Sequence, residues 1–310
     1  MDTLAVVVEA PGQVGLRRLA MLPASADDLV VEIDFSGIST GTEKLMFDGR
    51  MPAFPGMGYP LVPGYEAIGR VVDAGTSARG RIGDRVFVPG SSGFVAARGL
   101  FGGSARRLVT ASARALTLPD NLGEAGVLIA LAATAQHALS GGPLPDLIVG
   151  NGVLGRLLAR LTVAAGGAPV VWEINDARMS ADDGYRVVHP DSDPRRDYRV
   201  VMDASGDQDI LDKAIARHGH GGEIVLAGFY AQPLSFAFPP AFRREARIRI
   251  AAEFTPDDSA AVIAMAASGR VSLAGLITDR APARDAASAY PAAFADPAGL
   301  KMVLYWSGVA

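Results

Sequence analysis

The stretch Leu147-Ile148-Val149-Gly150-Asn151-Gly152-Val153-Leu154-Gly155 decides the fold of this chain. Its three leading apolar residues predict a short buried strand. The segment Val153–Ala165, apolar on most faces, predicts a helix that begins where the glycines end. A strand that enters a helix through the pattern G-x-G-x-x-G predicts a dinucleotide-binding loop.

Each glycine of this pattern has a physical role. Gly150 permits the tight turn, Gly152 lets the backbone approach a pyrophosphate, and Gly155 lets the helix pack close to the strand. The anion is then expected on the free N–H groups at the helix start, around Val153 and Leu154. The alternative is a glycine-rich turn that binds nothing, which the 36 glycines of the chain keep open.

An acidic residue in the next strand indicates which dinucleotide is bound. Glu173 lies near the end of the predicted strand Val170–Ile174, 18 residues after Gly155. A carboxylate there accepts hydrogen bonds from the adenosine ribose hydroxyls and repels a 2′-phosphate. The sequence therefore predicts NAD rather than NADP, with Arg178 as the residue that would pair with a 2′-phosphate in the alternative case.

Two further motifs support a doubly wound sheet. The predicted strands Arg199–Met202 and Ile224–Ala227 run into small residues within the motifs Val201–Gly206 and Gly221–Gly228, among them Ala204 and Gly228. At the carboxyl edge of a parallel sheet, such residues leave room for a nicotinamide and its ribose. Arg247–Ala251 is the predicted sixth strand, at which a Rossmann sheet is complete.

The rest of the chain predicts a second domain. Residues 1–120 hold short strand-like runs separated by Gly and Pro turns, which is typical of a small β-barrel. We therefore expect an α/β protein: a β-rich substrate and catalytic domain (1–120), a doubly wound parallel domain (121–268), and a C-terminal segment (269–310) that returns to the first domain.

Composition excludes several classes of function. The chain has no cysteine, so disulfides, thiolate nucleophiles and zinc sites with sulfur ligands are ruled out. A net charge of −4 without basic blocks argues against nucleic acid as a partner. The N-terminus lacks a signal-peptide pattern, and the most apolar run, Val127–Ala135, is too short to span a bilayer. We expect a cytoplasmic protein, and a homo-oligomer is compatible with these features.

Four motifs together resemble the medium-chain (alcohol dehydrogenase-like) superfamily over nearly the whole chain. They are Gly37–Glu43, Val62–Glu66, Ile82–Val86 and Ala133–Leu139. The resemblance implies that the β-rich domain is GroES-like and that Thr134 lies at the cofactor.

The departures from the family pattern concern its catalytic zinc. Ser39-Thr40 stands where the first zinc-ligand loop carries a cysteine, and Tyr65 replaces the histidine of Gly-His-Glu. Only Glu66 remains of that ligand set, and one carboxylate does not hold a catalytic zinc. The resemblance therefore implies a zinc-free member in which hydrogen bonding replaces the metal.

Segments 36–45 and 54–66 are similar to a narrower family, the dehydrogenases of bacteriochlorophyll synthesis. That family oxidises the 3-(1-hydroxyethyl) group of a chlorin ring to 3-acetyl and passes hydride to NAD. The implied substrate is a large planar tetrapyrrole. Met46–Tyr59 and Phe236–Phe242 are dense in soft and flat side chains that suit such a ligand, although they equally suit packing at a domain interface. Nearby arginines that would meet a propionate are Arg50, Arg243 and Arg244.

Oxidation of a secondary alcohol needs a group that takes the hydroxyl proton. The resemblance gives Thr42 the position of the family's relay hydroxyl, whereas Leu45 aligns with the histidine that completes that relay. Tyr65 offers a phenol that both donates and accepts, with a packed core tyrosine as the alternative. Glu66 is the third candidate, and the hydroxyls of Ser39 and Thr40 are further ones. His137 is interpreted as a packing or capping residue.

Two other functions remain open at this point. One is a zinc-free quinone or enone reductase that uses NADPH, against which Glu173 argues. The other is a non-catalytic NAD-binding protein in which the lost ligands mark lost chemistry.

Overall fold

A computed structural model of the chain describes residues 1–180 and 184–309. It divides into two compact units, Met1–Ala130 with Ala274–Ala310, and Leu131–Leu273. The described strands are β1 (Asp2–Ala10), β2 (Gln13–Ala20), β3 (Asp28–Ile38), β4 (Leu61–Val62), β5 (Ala67–Ala74), β6 (Arg85–Val88), β7 (Arg98–Gly99), β8 (Arg107–Ala111), β9 (Leu116–Thr117), β10 (Leu147–Val149), β11 (Val170–Trp172), β12 (Arg186–Val188), β13 (Tyr198–Asp203), β14 (His218–Leu226), β15 (Arg247–Ile250), β16 (Ile277–Pro282) and β17 (Lys301–Tyr305). The described α-helices are α1 (Thr42–Phe47), α2 (Ile129–Ser140), α3 (Val153–Ala164), α4 (Ile210–Arg217), α5 (Phe238–Arg243), α6 (Pro256–Ala267) and α7 (Ala286–Ala295).

The second unit contains a six-stranded parallel sheet. Its order is β12-β11-β10-β13-β14-β15, which is 3-2-1-4-5-6 when the strands are counted from β10. This is the doubly wound order of dinucleotide-binding domains, in which ligands bind where the order reverses, here at the carboxyl ends of β10 and β13. The predicted α/β class and Rossmann sheet are confirmed.

Apolar strands hold the centre of this sheet. Leu147, Ile148 and Val201 are fully buried, as parallel strands covered on both faces require. The indole N–H of Trp172 and the hydroxyl of Tyr198 both donate to Asp193 at 2.6 Å, so the polar tips of these two buried aromatic residues are satisfied.

One strand differs from its prediction. β14 begins at His218, whereas the sequence predicted a strand only from Ile224. The glycines at 219, 221 and 222 suggest a turn, but they form an irregularity within the sheet: Tyr198 pairs with His218, and the register then shifts so that Val200 pairs with Glu223. Glycine inside a strand often marks such a bulge.

The first unit contains two sheets. One has the order β2-β1-β4-β7, and the other the order β16-β17-β3-β5-β6-β9, with β8 also paired to β3. Their shared core includes Trp306 and Tyr290, both fully buried. The C-terminal strand β17 pairs antiparallel with β3, with Met302 opposite Ile38. This pairing brings Lys301 to the loop that follows β3.

One helical run in the described residues, Asp120–Ser140, is long and apolar enough to cross a membrane by length and composition alone. Its most apolar window is 61% buried inside the protein, and Gly123, with a φ of 50°, interrupts its helical geometry. Core helices of soluble proteins have the same composition, so this run is weak evidence for a membrane segment.

Candidate active site

The glycine loop has the geometry of a dinucleotide cradle. Gly150 has a φ of +96°, a left-handed conformation that favours glycine. A Cβ on Gly155 would lie 1.8 Å from the carbonyl oxygen of Gly150, so any side chain there would force the helix off the strand. Gly152 caps α3 without a side-chain hydrogen bond, which leaves the first N–H groups of the helix, at Val153 and Leu154, for an anion. These residues fit a nicotinamide dinucleotide.

Glu173 braces this loop from the end of β11. One carboxylate oxygen accepts the backbone N–H of Asn151 at 2.9 Å, and the other accepts those of Ile174 and Asn175 at 2.8 and 2.9 Å. The first oxygen retains a free lone pair, since each carboxylate oxygen accepts about two bonds. The carboxylate therefore lies at the loop, oriented by the backbone, with capacity for a further donor.

Arg178 lies at the same loop. Its Nη1 is 3.6 Å from the position that a Cβ on Gly152 would occupy. Its carbonyl oxygen accepts a 2.6 Å hydrogen bond from the side-chain amide of Asn151. A cation and the Glu173 carboxylate thus both lie within reach of the loop, so the choice between NAD and NADP depends on which of them meets the ribose.

The ends of β13 and β14 form a second polar group at the switch point. The N–H of Ala204 donates to Val149 at 2.9 Å, and that of Gly228 donates to the carbonyl of Asp203 at 3.1 Å. The buried Asp203 side chain accepts the hydroxyls of Ser205, at 2.6 Å, and Tyr230. Burial raises the pKa of Asp203 above its ordinary value.

The small residues at these strand ends were predicted from the sequence, whereas no local pattern predicted the pair of Asp203 and Tyr230. Two positions named from the sequence lie on α2. Thr134 is partly buried there, and its role at the cofactor stays a prediction. His137 meets Asp258 at 2.9 Å, the residue that completes the capping box of α6, in agreement with its interpretation as a capping residue.

In the first unit, two hydroxyls lie together at positions that, by the sequence resemblance, align with metal ligands of the superfamily. Ser39 Oγ and the Tyr65 hydroxyl lie 2.7 Å apart, and either can donate. Burial raises the pKa of Tyr65 well above its ordinary value, and the charge of Glu66 raises it further, against hydrogen bonds from Ser39 and Thr42. Tyr65 therefore stays a neutral phenol at physiological pH.

The third candidate, Glu66, is fully buried against a lysine that sequence analysis missed. Lys301 Nζ lies 2.9 and 2.6 Å from the two oxygens of Glu66 and 3.2 Å from the carbonyl oxygen of Ile38. Because both oxygens are bound to this ammonium, Glu66 is poorly placed to act as a general base. The two residues are 235 positions apart in sequence, so no local pattern links them.

These residues do not fit a zinc ion. Both oxygens of Glu66 are bound to Lys301, and the neighbouring groups are the neutral hydroxyls of Ser39 and Tyr65, which are poor zinc ligands. Within 1–180 and 184–309, no group of three His, Asp or Glu side chains is arranged as metal ligands would be.

The two segments rich in methionine and aromatic side chains, Met46–Tyr59 and Phe236–Phe242, differ in burial. Met46 and Met51 of the first loop are buried in a cluster that Phe54 and Met57 cover. Phe101 joins this cluster to the site, since its ring meets that of Tyr65 edge-on at 5.6 Å.

The second loop presents Phe236, Phe238 and Phe242, which are 43%, 67% and 69% exposed. The rings of Phe238 and Phe242 lie 5.7 Å apart.

Comparisons with known proteins agree with this architecture. Residues 25–120 match the family described as alcohol dehydrogenase GroES-like domain. The chain is 55% identical to 2-desacetyl-2-hydroxyethyl bacteriochlorophyllide A dehydrogenase of Cereibacter sphaeroides, over 100% of both chains. It is 54% identical to the protein of the same name from Rhodobacter capsulatus, over 99% of both.

The chain belongs to this dehydrogenase family. Its fold is also that of L-idonate 5-dehydrogenase from Escherichia coli, with a TM-score of 0.86 at 19% identity, over 99% of each chain. The resemblance to medium-chain dehydrogenases is thereby confirmed, and so is the assignment to the bacteriochlorophyllide-oxidising family.

Proposed function

We propose that this protein oxidises the 1-hydroxyethyl group of a bacteriochlorophyllide to an acetyl group, with NAD as hydride acceptor and without zinc. The substrate follows from the name of the two full-length relatives. The observation that carries the mechanism is the 2.7 Å hydrogen bond between Ser39 and Tyr65, at the positions where the superfamily binds its metal.

The hydroxyl pair of Ser39 and Tyr65 takes the place of the metal by accepting the alcohol proton and passing it on. A nicotinamide held at the glycine loop would supply the hydride acceptor for the alcohol carbon. The alcohol proton must leave at the same time: the Tyr65 hydroxyl can accept it while its own proton passes to Ser39 Oγ and the Ser39 proton passes on to water, so that both side chains end as neutral hydroxyls. Because Tyr65 is neutral, it acts through this exchange rather than as a preformed base. A hydrogen bond with Thr42 lowers the pKa of this phenol, against the effect of burial.

The aromatic wall beside Tyr65 suits a flat macrocycle. Phe101 stands perpendicular to the Tyr65 ring, and Phe54 stands nearly perpendicular to Phe101, at 6.2 Å. With Met57, these side chains offer a polarisable apolar surface next to the reacting hydroxyl. We infer that this wall contacts the ring of the pigment.

Incubation of the protein with NAD and a bacteriochlorin that carries a 1-hydroxyethyl group tests the proposal. We expect the acetyl pigment and NADH in equal amounts, with the long-wavelength absorption shifted to the red because a carbonyl becomes conjugated to the ring. Reduction of simple quinones by NADPH, without pigment oxidation, would instead identify a quinone reductase. Binding of NAD without turnover of either substrate would identify a non-catalytic protein.

A further inference from the structure

A second carboxylate lies buried behind the hydroxyl pair. Glu43, in the first turn of α1, is 1% exposed, and the residues around it are buried as completely: Tyr290, Ser104, Glu66 and Lys301. Glu43 has no part in the proton exchange between Tyr65 and Ser39. A carboxylate at such a depth needs either a cation or a proton.

The one ammonium in this cluster belongs to Glu66. Lys301 Nζ contacts both oxygens of Glu66 and the carbonyl of Ile38, whereas the partners recorded for Glu43 are neutral. Its Oε1 accepts the backbone N–H of Ser39 at 3.2 Å, and its Oε2 accepts the hydroxyl of Tyr290 at 2.9 Å. Two carboxylates and one ammonium leave one negative charge in excess, which a single proton on Glu43 removes.

The hydrogen bonds around Glu43 can accommodate that proton. Oε1 is already an acceptor, so the proton belongs on Oε2, which faces the Tyr290 hydroxyl. Tyr290 then accepts from Glu43 and donates to Ser104 Oγ, 3.4 Å away. Loss of the proton reverses both bonds: Tyr290 then donates to Glu43 and accepts from the hydroxyl of Ser104. Only protons change position between the two states.

Electrostatics agree with this arrangement. Burial raises the pKa of Glu43 to about 8, and the neighbouring Glu66 adds to the rise, whereas Tyr290, Ser39 and Lys301 oppose it.

Ser39 connects Glu43 to the reacting phenol. Its N–H donates to Glu43, and its hydroxyl shares the hydrogen bond with Tyr65. A negative charge on Glu43 also raises the pKa of Tyr65, which makes transfer of the Tyr65 proton toward Ser39 less favourable. The protonation state of Glu43 therefore affects the hydroxyl pair in two ways, through the hydrogen bond to Ser39 and through the pKa of Tyr65.

We propose that Glu43 is a positioning residue that works as a neutral carboxylic acid: in this form it holds Ser39 against Tyr65, and loss of its proton stops alcohol oxidation. The proposal rests on the proposed function for its kinetic consequence. Its structural claim, one proton stored on Glu43 at neutral pH, stands without it.

The kinetic test is the pH profile of pigment oxidation at saturating NAD. We expect wild-type turnover to fall about tenfold per pH unit above a limb near pH 8, as a single proton loss requires. The glutamine in Glu43→Gln cannot ionise, so the fall in turnover at high pH should vanish in this variant. Tyr290→Phe removes a hydrogen bond that favours the carboxylate form, so its limb should move to higher pH. A residue with a purely structural role would move neither limb. An unchanged limb in Glu43→Gln, or an unshifted one in Tyr290→Phe, would overturn the proposal.

Infrared spectroscopy tests the stored proton without any substrate. We expect the wild-type protein at pH 7 to show the C=O band of a buried protonated carboxyl, which disappears as the pH rises past about 8. The band should be absent from Glu43→Gln and should persist in Asp203→Asn, the control that removes a buried carboxyl of the second unit whose pKa is also raised. In Glu66→Gln the band should disappear at a lower pH, because the negative charge of Glu66 raises the pKa of Glu43. A band that survives in Glu43→Gln would place the proton on another residue and overturn the proposal.

The two measurements separate the possible failures. If the pigment is not oxidised while the band behaves as expected, the proposed function fails and the stored proton stands. If Glu43→Gln does not fold, the wild-type band and the Tyr290→Phe profile decide the question. Absence of a titrating band in the wild-type protein would then reject the proposal.

Discussion

Tyr65 shows how a residue changes its chemistry when its neighbours change. By the sequence resemblance its position aligns with a zinc ligand, whereas here the ring packs against Phe101 and the hydroxyl bonds to Ser39. Burial and the negative charge of Glu66 keep the phenol protonated. A neutral phenol both donates and accepts, which suits a group that stabilises a developing alkoxide while it takes part in proton exchange.

Tyr65→Phe removes only the hydroxyl and should lower turnover by roughly 10²–10⁴-fold, because general acid–base groups contribute about that much. NAD affinity, measured by fluorescence titration, should stay unchanged, since the glycine loop is untouched. Thr42→Val is the matched control and should have a smaller effect if water replaces its hydroxyl. Wild-type turnover in Tyr65→Phe would reduce this residue to a packing role.

Lys301 and Glu66 form the most deeply buried ion pair of the described residues. The side chains of both are at most 2% exposed, so water does not screen their interaction. Removal of one partner leaves an unpaired buried charge, which is far more costly than removal of both.

Lys301→Met keeps most of the apolar stem but leaves Glu66 as an unpaired buried charge. It should therefore lower the free energy of unfolding by about 3–5 kcal/mol. The double variant Lys301→Met with Glu66→Gln should recover a large part of that loss. Chemical denaturation monitored by circular dichroism measures both. Equal destabilisation of the single and double variants would show that the pair contributes through packing rather than charge.

At the level of elements, the glycine loop and the end of β11 act together. Glu173 accepts three backbone N–H groups, so the carboxylate is fixed in place before any ribose arrives. Such preorganisation reduces the entropy lost on binding. Arg178, whose Nη1 lies close to Gly152, is the residue that would instead favour the 2′-phosphate of NADP.

We expect NAD to bind at least tenfold more tightly than NADP, because a fixed carboxylate accepts ribose hydroxyls and repels a 2′-phosphate. Calorimetric titration with each cofactor measures the ratio. Equal affinities would indicate that Arg178 pairs with the 2′-phosphate of NADP. Arg178→Ala should then lower the affinity for NADP alone.

The sequence predicted the glycine loop and the elements on either side of it closely because these carry local signals. The strand before Gly150 and the helix after Gly152 follow from apolar runs and glycine spacing. The start of β14 was missed because its glycines suggest a turn, whereas they form an irregularity inside the sheet. Contacts far apart in sequence were invisible: neither the pairing of Lys301 with Glu66 nor that of Tyr290 with Glu43 leaves a local pattern.

On the scale of the whole molecule, the chain keeps the fold of its superfamily and replaces one component. The GroES-like and dinucleotide-binding units are both present, and the glycine loop retains its geometry. The metal-ligand positions hold hydroxyls, behind which a lysine and two glutamates form a buried cluster. The central claim is that this set of side chains oxidises an alcohol without a Lewis acid.

The most direct test of that claim is pigment oxidation by protein treated with a strong chelator and then analysed for metal content. We expect less than about one tenth of a zinc per chain, and turnover with NAD and the hydroxyethyl pigment equal to that of untreated protein. A turnover that is lost with the metal and restored by one equivalent of zinc would contradict it.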